Sequence, residues 1–162
     1  MPLNLEQKKA VVAEVAEVAS QAHSAVAAEY RGLSVGDMTA LRAKARETGV
    51  YVRVVRNTLA RRAVAGTDFE CMADQLTGPL VLAFSKEEPG SAGRLINDFA
   101  KANDKMVIRL VSIGGEVLDG SHIERLASLP TRDEAISKLM AVMKAPIGKF
   151  VRTLNEPHSK LA

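Results

Sequence analysis

The chain has 162 residues, of which 47% are hydrophobic, 25% charged and 4% aromatic, and a net charge of +3. That length and apolar share suit one ordinary folded domain with an appendage and exclude an intrinsically disordered chain. A lone cysteine, Cys71, excludes an internal disulfide and points to a reducing compartment, while the lack of any run of ~18 apolar residues excludes a bilayer-spanning helix.

The N-terminal Ala/Val-rich stretch from Ala10 to Ala28 is interrupted by Glu14, Glu17 and His23, unlike a secretory leader, so the cytoplasm is the expected location. Asn4 followed by Gln7 has the pattern of a capping box, and Val11, Val15, Val18 and Ala22 recur at helical spacing, which predicts a helix from about Leu5 to Gln21. Ser24 to Tyr30 reads as a strand closed by Arg31-Gly32. Ser34, with Asp37 three positions on, starts a helix whose buried stripe is Met38, Leu41 and Ala45 and which Gly49 ends. Val50 to Arg56 (VYVRVVR) is β-branched and aromatic, the strongest strand signal in the chain. Asn57 or Thr58 is expected to cap a short helix ending near Gly66, and Thr67 with Glu70 to cap another reaching Gln75.

Gly78-Pro79 opens a third strand, LVLAFS, and Pro89-Gly90 introduces a helix carrying Leu95, Ile96 and Phe99. Met106 to Ile113 is the fourth strand, from which Gly114-Gly115 turns the chain away. Ser121 with Glu124, and Thr131 with Glu134 after Pro130, supply two more capping boxes. The order α-βαβ-αα-βαβ-α predicts an α+β fold: a four-stranded, ferredoxin-like α/β sandwich with an extra N-terminal helix, a helical insert and a C-terminal helical tail. The strand order does not follow from the pattern. Residues 1–129 form the expected body and residues 130–162 the tail.

Seven basic residues lie between Arg42 and Arg62 against one acid, Glu47. Arg56 and Asn57 leave a strand where a helix begins and free backbone N–H groups point outward, and Arg61 and Arg62 follow within a turn or two. Cations near a helix start oppose the macrodipole, a cost that a bound anion would offset. Guanidinium groups grip phosphate oxygens bidentately, so a polyanion is the partner of this stretch, with Lys8, Lys9, Arg31 and Gly32 extending the patch. The alternative is a solvated basic face, for which only Glu47 is at hand as an ion-pair partner. No helix-turn-helix or zinc-finger spacing is visible, which favours RNA over DNA. Tyr30 and Tyr51 are the only tyrosines and are expected to pack.

The tail repeats itself. Ile136 to Pro146 (ISKLMAVMKAP) aligns without gaps on Ile147 to Pro157 (IGKFVRTLNEP), with apolar residues at the first, fourth, fifth and eighth places of each unit: Ile136, Leu139, Met140 and Met143, then Ile147, Phe150, Val151 and Leu154. Eleven residues are close to three helical turns, so both units present one face, about 16 Å apart. Pro146 with Gly148 predicts a kink or joint between them. A helix folded onto the body's own core would explain one such stripe. Two equivalent stripes at a joint suggest instead two docking sites for identical partners.

Three separated segments, YRGLSVGDMTALR (Tyr30 to Arg42), GVYVRVVRNTLARRA (Gly49 to Ala63) and LPTRDEAISKLMAVMKAP with GKFVRTL in the tail, resemble the family of bacterial ribosomal protein ten of the large subunit, the stalk-base protein; the resemblance covers essentially the whole chain. It implies a structural, non-enzymatic ribosomal protein that binds large-subunit rRNA beside ribosomal protein eleven. Its C-terminal helix would anchor dimers of stalk protein seven/twelve, which recruit the translational GTPases. Carried onto this chain, Arg31, Gly32, Arg53, Arg56, Asn57, Thr58, Arg61 and Arg62 fall where the family meets RNA, and Ile136 to Leu154 fall on the docking helix. The tail is short beside family members with three docking segments, which implies two dimers.

Two other readings stand beside this one. An RNA-binding ribosome-assembly factor would use the same body but would not need duplicated docking units. An acylphosphatase-like phosphoryl-transfer enzyme would use an arginine and an asparagine, for which Arg56, Asn57 and Arg94 are candidates, yet the Pro89-to-Gly93 loop lacks the required arginine. His23, His122 and His158 lie far apart and show no metal-ligand spacing, so no cofactor or metal is expected. Cys71, beside Met72 in a short apolar helix, reads as a buried structural thiol.

Overall fold

The computed structural model describes residues 4–86, 88–103 and 105–161, with side chains described as far as residue 153. The chain divides into two compact units, Met1–Leu129 and Pro130–Ala162. In the first, α1 (Leu5–Gln21), β1 (Ser24–Glu29), α2 (Val35–Glu47), β2 (Val50–Val54), α3 (Asn57–Val64), β3 (Leu80–Ser85), α4 (Ser91–Ala102), β4 (Val107–Ile113), β5 (Glu116–Asp119) and α5 (Ile123–Ala127) follow in order. A 3-10 segment, Glu70–Gln75, precedes β3, and another, Gly120–His122, precedes α5.

The helix starts follow the local chemistry. The backbone N–H of Asn4 donates to Gln7 Oε1 (3.0 Å), and Ser34 and Asp37 exchange bonds of 3.1 and 3.2 Å between backbone N–H groups and side-chain oxygens. The caps expected after β2 differ. Arg56 occupies the N-cap of α3, and Asn57, already helical, donates its amide to the Gly78 carbonyl (2.9 Å) instead. Thr67 and Glu70 do not start an α-helix: the six residues from Glu70 form the tighter 3-10 coil, with Met72 inward. That coil turns Cys71 outward, so it is exposed and not the expected buried thiol.

The sheet has five strands, not four, in the order β2-β3-β1-β4-β5, with every neighbouring pair antiparallel. The fifth was hidden by Gly114-Gly115. Their φ values of +57° and +88° suit a two-residue mirror-image turn, so the chain reverses into a hairpin that pairs Ile113 with Glu116 instead of leaving the sheet. Because β3 is antiparallel to both β1 and β2, those two strands run parallel with β3 between them, and α2 makes the crossover. By the same argument β3 and β4 are parallel, with β1 inserted and α4 crossing.

Helices cover both faces. On one, Ala25, Ala27, Leu82 and Phe84 pack under Val15 and Val18 of α1, Leu59 and Ala63 of α3, and Met72. On the other, Val26, Ala28, Val81 and Ala83 meet Leu41 of α2, Ile96 and Phe99 of α4 and Leu126 of α5. This is why LVLAFS and SAVAA read as unbroken apolar runs: in β3 all six residues are buried.

The second unit is one helix, α6 (Arg132–Leu161), 30 residues long. Its start is the Thr131–Glu134 capping box, with both reciprocal bonds at 3.3 Å. The helix runs through Pro146, so the expected joint is no interruption. Proline there removes the N–H that would have donated to the Val142 carbonyl and sets its ring against that carbonyl, yet the helical run continues on both sides.

Candidate nucleic-acid interface and docking helix

One end of the sheet gathers the segments that the basic pattern singled out. β1 and β2 both exit there, while β3 and β4 both enter: Glu29, last in β1, is the register partner of Leu80 and of Val107, the first residues of β3 and β4. Hydrogen bonds join the loops. The Tyr30 N–H donates to the Pro79 carbonyl (3.3 Å), the Leu33 N–H to the Tyr30 carbonyl (3.2 Å), and the Asn57 amide to Gly78. Between them lies a shallow groove of about 400 Å³ lined by Tyr30, Val54 to Thr58 and Gly78 to Leu80. Arg56 and Thr58 are exposed at its rim. Gly32, next to the exposed Arg31, has φ +92°, a left-handed conformation that a side chain would strain.

The other basic residues do not converge on this groove, because a helix distributes them around its axis. Arg62 faces α1, where with Lys8, Lys9 and the apolar Leu5, Val12 and Leu59 it lines a separate groove of about 320 Å³. Arg61 points elsewhere. Its Nε donates to the Ala73 carbonyl (2.9 Å) and an Nη to that of Leu76 (3.0 Å), holding the 3-10 segment. Arg53 is engaged as well: it pairs with Glu14 of α1 and donates to the Tyr51 hydroxyl (2.9 Å), which in turn donates to Glu14 (2.7 Å). The Tyr51 hydroxyl and then Arg53 hold the Glu14 carboxyl below its usual range, Tyr51 and then Glu14 push Arg53 up, and burial raises Tyr51.

Two cations at the same sheet end escaped the sequence reading. Arg109 is the extra residue of a bulge, since Ala27 and Ala28 pair with Leu110 and Ile108, and it donates twice to Glu29 (2.9 and 3.1 Å). Nothing in the run MVIRLVSI marks a bulge. Lys105 precedes β4, where Lys101, Lys105 and Arg109 stand four residues apart and form no basic run. Arg94, the candidate of the enzyme reading, is occupied: it donates to the carbonyls of Ala127 and Leu129 at the end of α5 and pairs with Glu88 (3.6 Å). No group of three His, Cys, Asp or Glu residues with metal-holding geometry occurs among the described residues. No described helix is long and apolar enough to cross a membrane.

On α6 the stripe stands exposed. Ile136, Leu139, Met140 and Met143 of the first unit are 45–61% exposed, and Ile147, Phe150 and Val151 of the second 58–69%. The Leu154 side chain lies outside the described residues. Val142, 69% exposed, was not part of the repeat but sits about 60° around the helix from Leu139 and widens the first unit's apolar face.

The family model "Ribosomal protein L10" matches residues 3–101, and the model "Ribosomal protein uL10 C-terminal region" matches residues 129–156. Among relatives, the chain is 67% identical to the large ribosomal subunit protein uL10 of Thioalkalivibrio sulfidiphilus, across 99% of this chain and 92% of that one. It is 68% identical to that of Methylococcus capsulatus, across 94% and 87%, and 62% identical to that of Legionella pneumophila (strain Corby), across 100% and 92%.

Proposed function

Because this chain belongs to the ribosomal protein L10 family, we propose that the sheet end bearing Arg31 and Arg56 holds rRNA while α6 docks other proteins. The protein is a structural constituent of the large ribosomal subunit, and so a ribonucleoprotein component of translation that associates with rRNA. Its place is the base of the stalk, beside ribosomal protein eleven. Residues 1–129 act as the RNA-binding domain and residues 130–162 as the docking tail. Arg31, Gly32, Arg56, Asn57 and Thr58 form the central RNA contact, and Lys8, Lys9 and Arg62 a second basic surface. Arg53 and Arg61 reach RNA only after satisfying the contacts described above. The order β2-β3-β1-β4 with α2 and α4 supports a ferredoxin-like core to which β5 and the layer of α1 and α3 are additions.

The observation that carries the docking reading is the pair of exposed stripes on one helix, repeated at eleven residues. Each would seat one dimer of stalk protein seven/twelve, two in all, through Ile136, Leu139, Met140 and Met143 and through Ile147, Phe150, Val151 and Leu154. The scaffold then works without chemistry of its own: tethered arms raise the local concentration of the translational GTPases they recruit. Native mass spectrometry of the chain with its stalk partner tests this. The full chain is expected to carry two dimers, and a chain ending at Pro146 one, with RNA binding retained. Loss of both dimers on that truncation would refute independent sites.

A further inference from the structure

We propose that Lys105 is a phosphate-contacting residue of the same RNA face, supplied by the loop that enters β4. The inference rests on the RNA reading of Arg31 and Arg56. Four chain segments meet at that end of the sheet: those leaving β1 and β2, and those entering β3 and β4. The first three are joined by the Tyr30–Pro79 and Asn57–Gly78 hydrogen bonds. The fourth joins them through Lys105. A Cβ built on Gly32 would stand 3.6 Å from Lys105 Cδ and 4.0 Å from its Cβ, so the aliphatic stem of the lysine lies along the Arg31–Gly32 backbone. Its ammonium, two bonds beyond Cδ, therefore stays at this end of the sheet, near enough to Asp37 to act on that carboxyl.

The charge is available there. Lys105 is exposed and takes part in no salt bridge among the described residues. Asp37 Oδ2 accepts from the Ser34 hydroxyl (2.7 Å) and N–H (3.1 Å), which chiefly hold its carboxyl below the usual range, and the charge of Lys105 adds to that only last. Arg109, the other cation entering with β4, is held by Glu29. Lys105 is thus the β4-side counterpart of Arg31 and Arg56. An ammonium on a flexible stem acts on a phosphate as a point charge, which needs no fixed approach angle. A solvated lysine at a strand entrance would equally be exposed, so the test must read charge neutralisation.

Filter binding of the full chain to protein-free large-subunit rRNA, across roughly 50–200 mM salt, provides that reading. Lys105→Gln is expected to weaken binding severalfold and to reduce the magnitude of the log–log salt slope by about 0.7–0.9, the counterion release of one phosphate. Lys105→Arg should restore both, and the melting temperature should not move. Arg56→Gln serves as the reference. If Arg56→Gln weakens binding while Lys105→Gln leaves affinity or slope unchanged, the assignment of Lys105 is overturned alone. If neither variant weakens binding, the RNA reading of this sheet end falls with it.

Discussion

Arg56 and Arg61 stand five residues apart in one basic run, yet their surroundings differ, and replacing each by alanine separates the proposed RNA contact from the hold on the 3-10 segment. Arg61 is bound to the carbonyls of Ala73 and Leu76 by bonds of 2.9 and 3.0 Å. Bonds from a charged donor contribute about 1.5–3 kcal/mol each when shielded, but the Arg61 side chain is exposed and water can replace it at Ala73 more readily than at the part-buried Leu76 carbonyl, so Arg61→Ala should cost about 1–3 kcal/mol in total. For a folded unit of this size that corresponds to a fall of roughly 3–10 °C in melting temperature. Arg56 is exposed and its side chain makes no hydrogen bond among the described residues, so Arg56→Ala should leave the melting temperature within about 1–2 °C of the parent. The RNA readout reverses the order. Arg56→Ala should lower the magnitude of the salt slope by about 0.7–0.9, whereas Arg61→Ala should change it by less, measured well below either melting point. Thermal denaturation followed by circular dichroism, with filter binding on the same samples, tests both halves. If Arg61→Ala melts with the parent and loses the same slope as Arg56→Ala, the guanidinium belongs to the RNA and its role in holding the 3-10 segment is wrong.

Gly93 lies where a Cβ would stand 2.6 Å from Leu126 Cγ, so Gly93→Ala should destabilise the body by about 1–2 kcal/mol despite alanine's better helix propensity, and combining it with Leu126→Ala should cost less than the sum of the two. A double-mutant cycle of melting curves that proves additive would remove this contact from the account. The low Glu14 carboxyl ties α1 to β2, and a depressed folded value means a contribution present above the ordinary glutamate range and lost as pH falls through the folded one. The stability difference between the parent and Glu14→Gln should therefore shrink on acidification, and a difference independent of pH would refute the tie. In the tail, Leu139→Asp and Phe150→Asp each place a charge in one stripe, and each should remove one stalk dimer in native mass spectrometry while leaving the other. Loss of both dimers from either single variant would show that the units act as one site.

Much of the fold was legible because periodicity reports burial. β1 and β3 showed as short, largely apolar runs next to glycine and proline turns, as strands covered on both faces do, and α1, α2 and α6 through their caps. β5 was not legible for the opposite reason. Its four residues, Glu116 to Asp119, lie at the sheet edge with two acids outward and no residue buried, so composition gave the pairing no signal. The reversal of the chain was written only in the left-handed turn at Gly114-Gly115. Pro146 ends no helix: the run of 30 residues loses the donor there and continues, so a residue that ends short helices need not end a long one.

The site was legible in kind but not in arrangement. Charge along a chain measures how many cations a segment holds. It does not say where they point, and in α3 a step of one residue, from Arg61 to Arg62, is about 100° of rotation. Those neighbours therefore part, one to the 3-10 segment and one to α1, while Lys105, 49 positions from Arg56, arrives at the same end of the sheet. The residues that do stay together are those on strand exits and entrances, where antiparallel pairing sets the register. Glu29 opposite both Leu80 and Val107, with Val54 opposite Val81, brings four distant segments to one end of the sheet whatever their side chains. The tail behaves differently because its order is one-dimensional. Eleven residues return to nearly the same angle, so a repeat in the sequence is already a repeat in space, and its two faces could be read without any knowledge of the body.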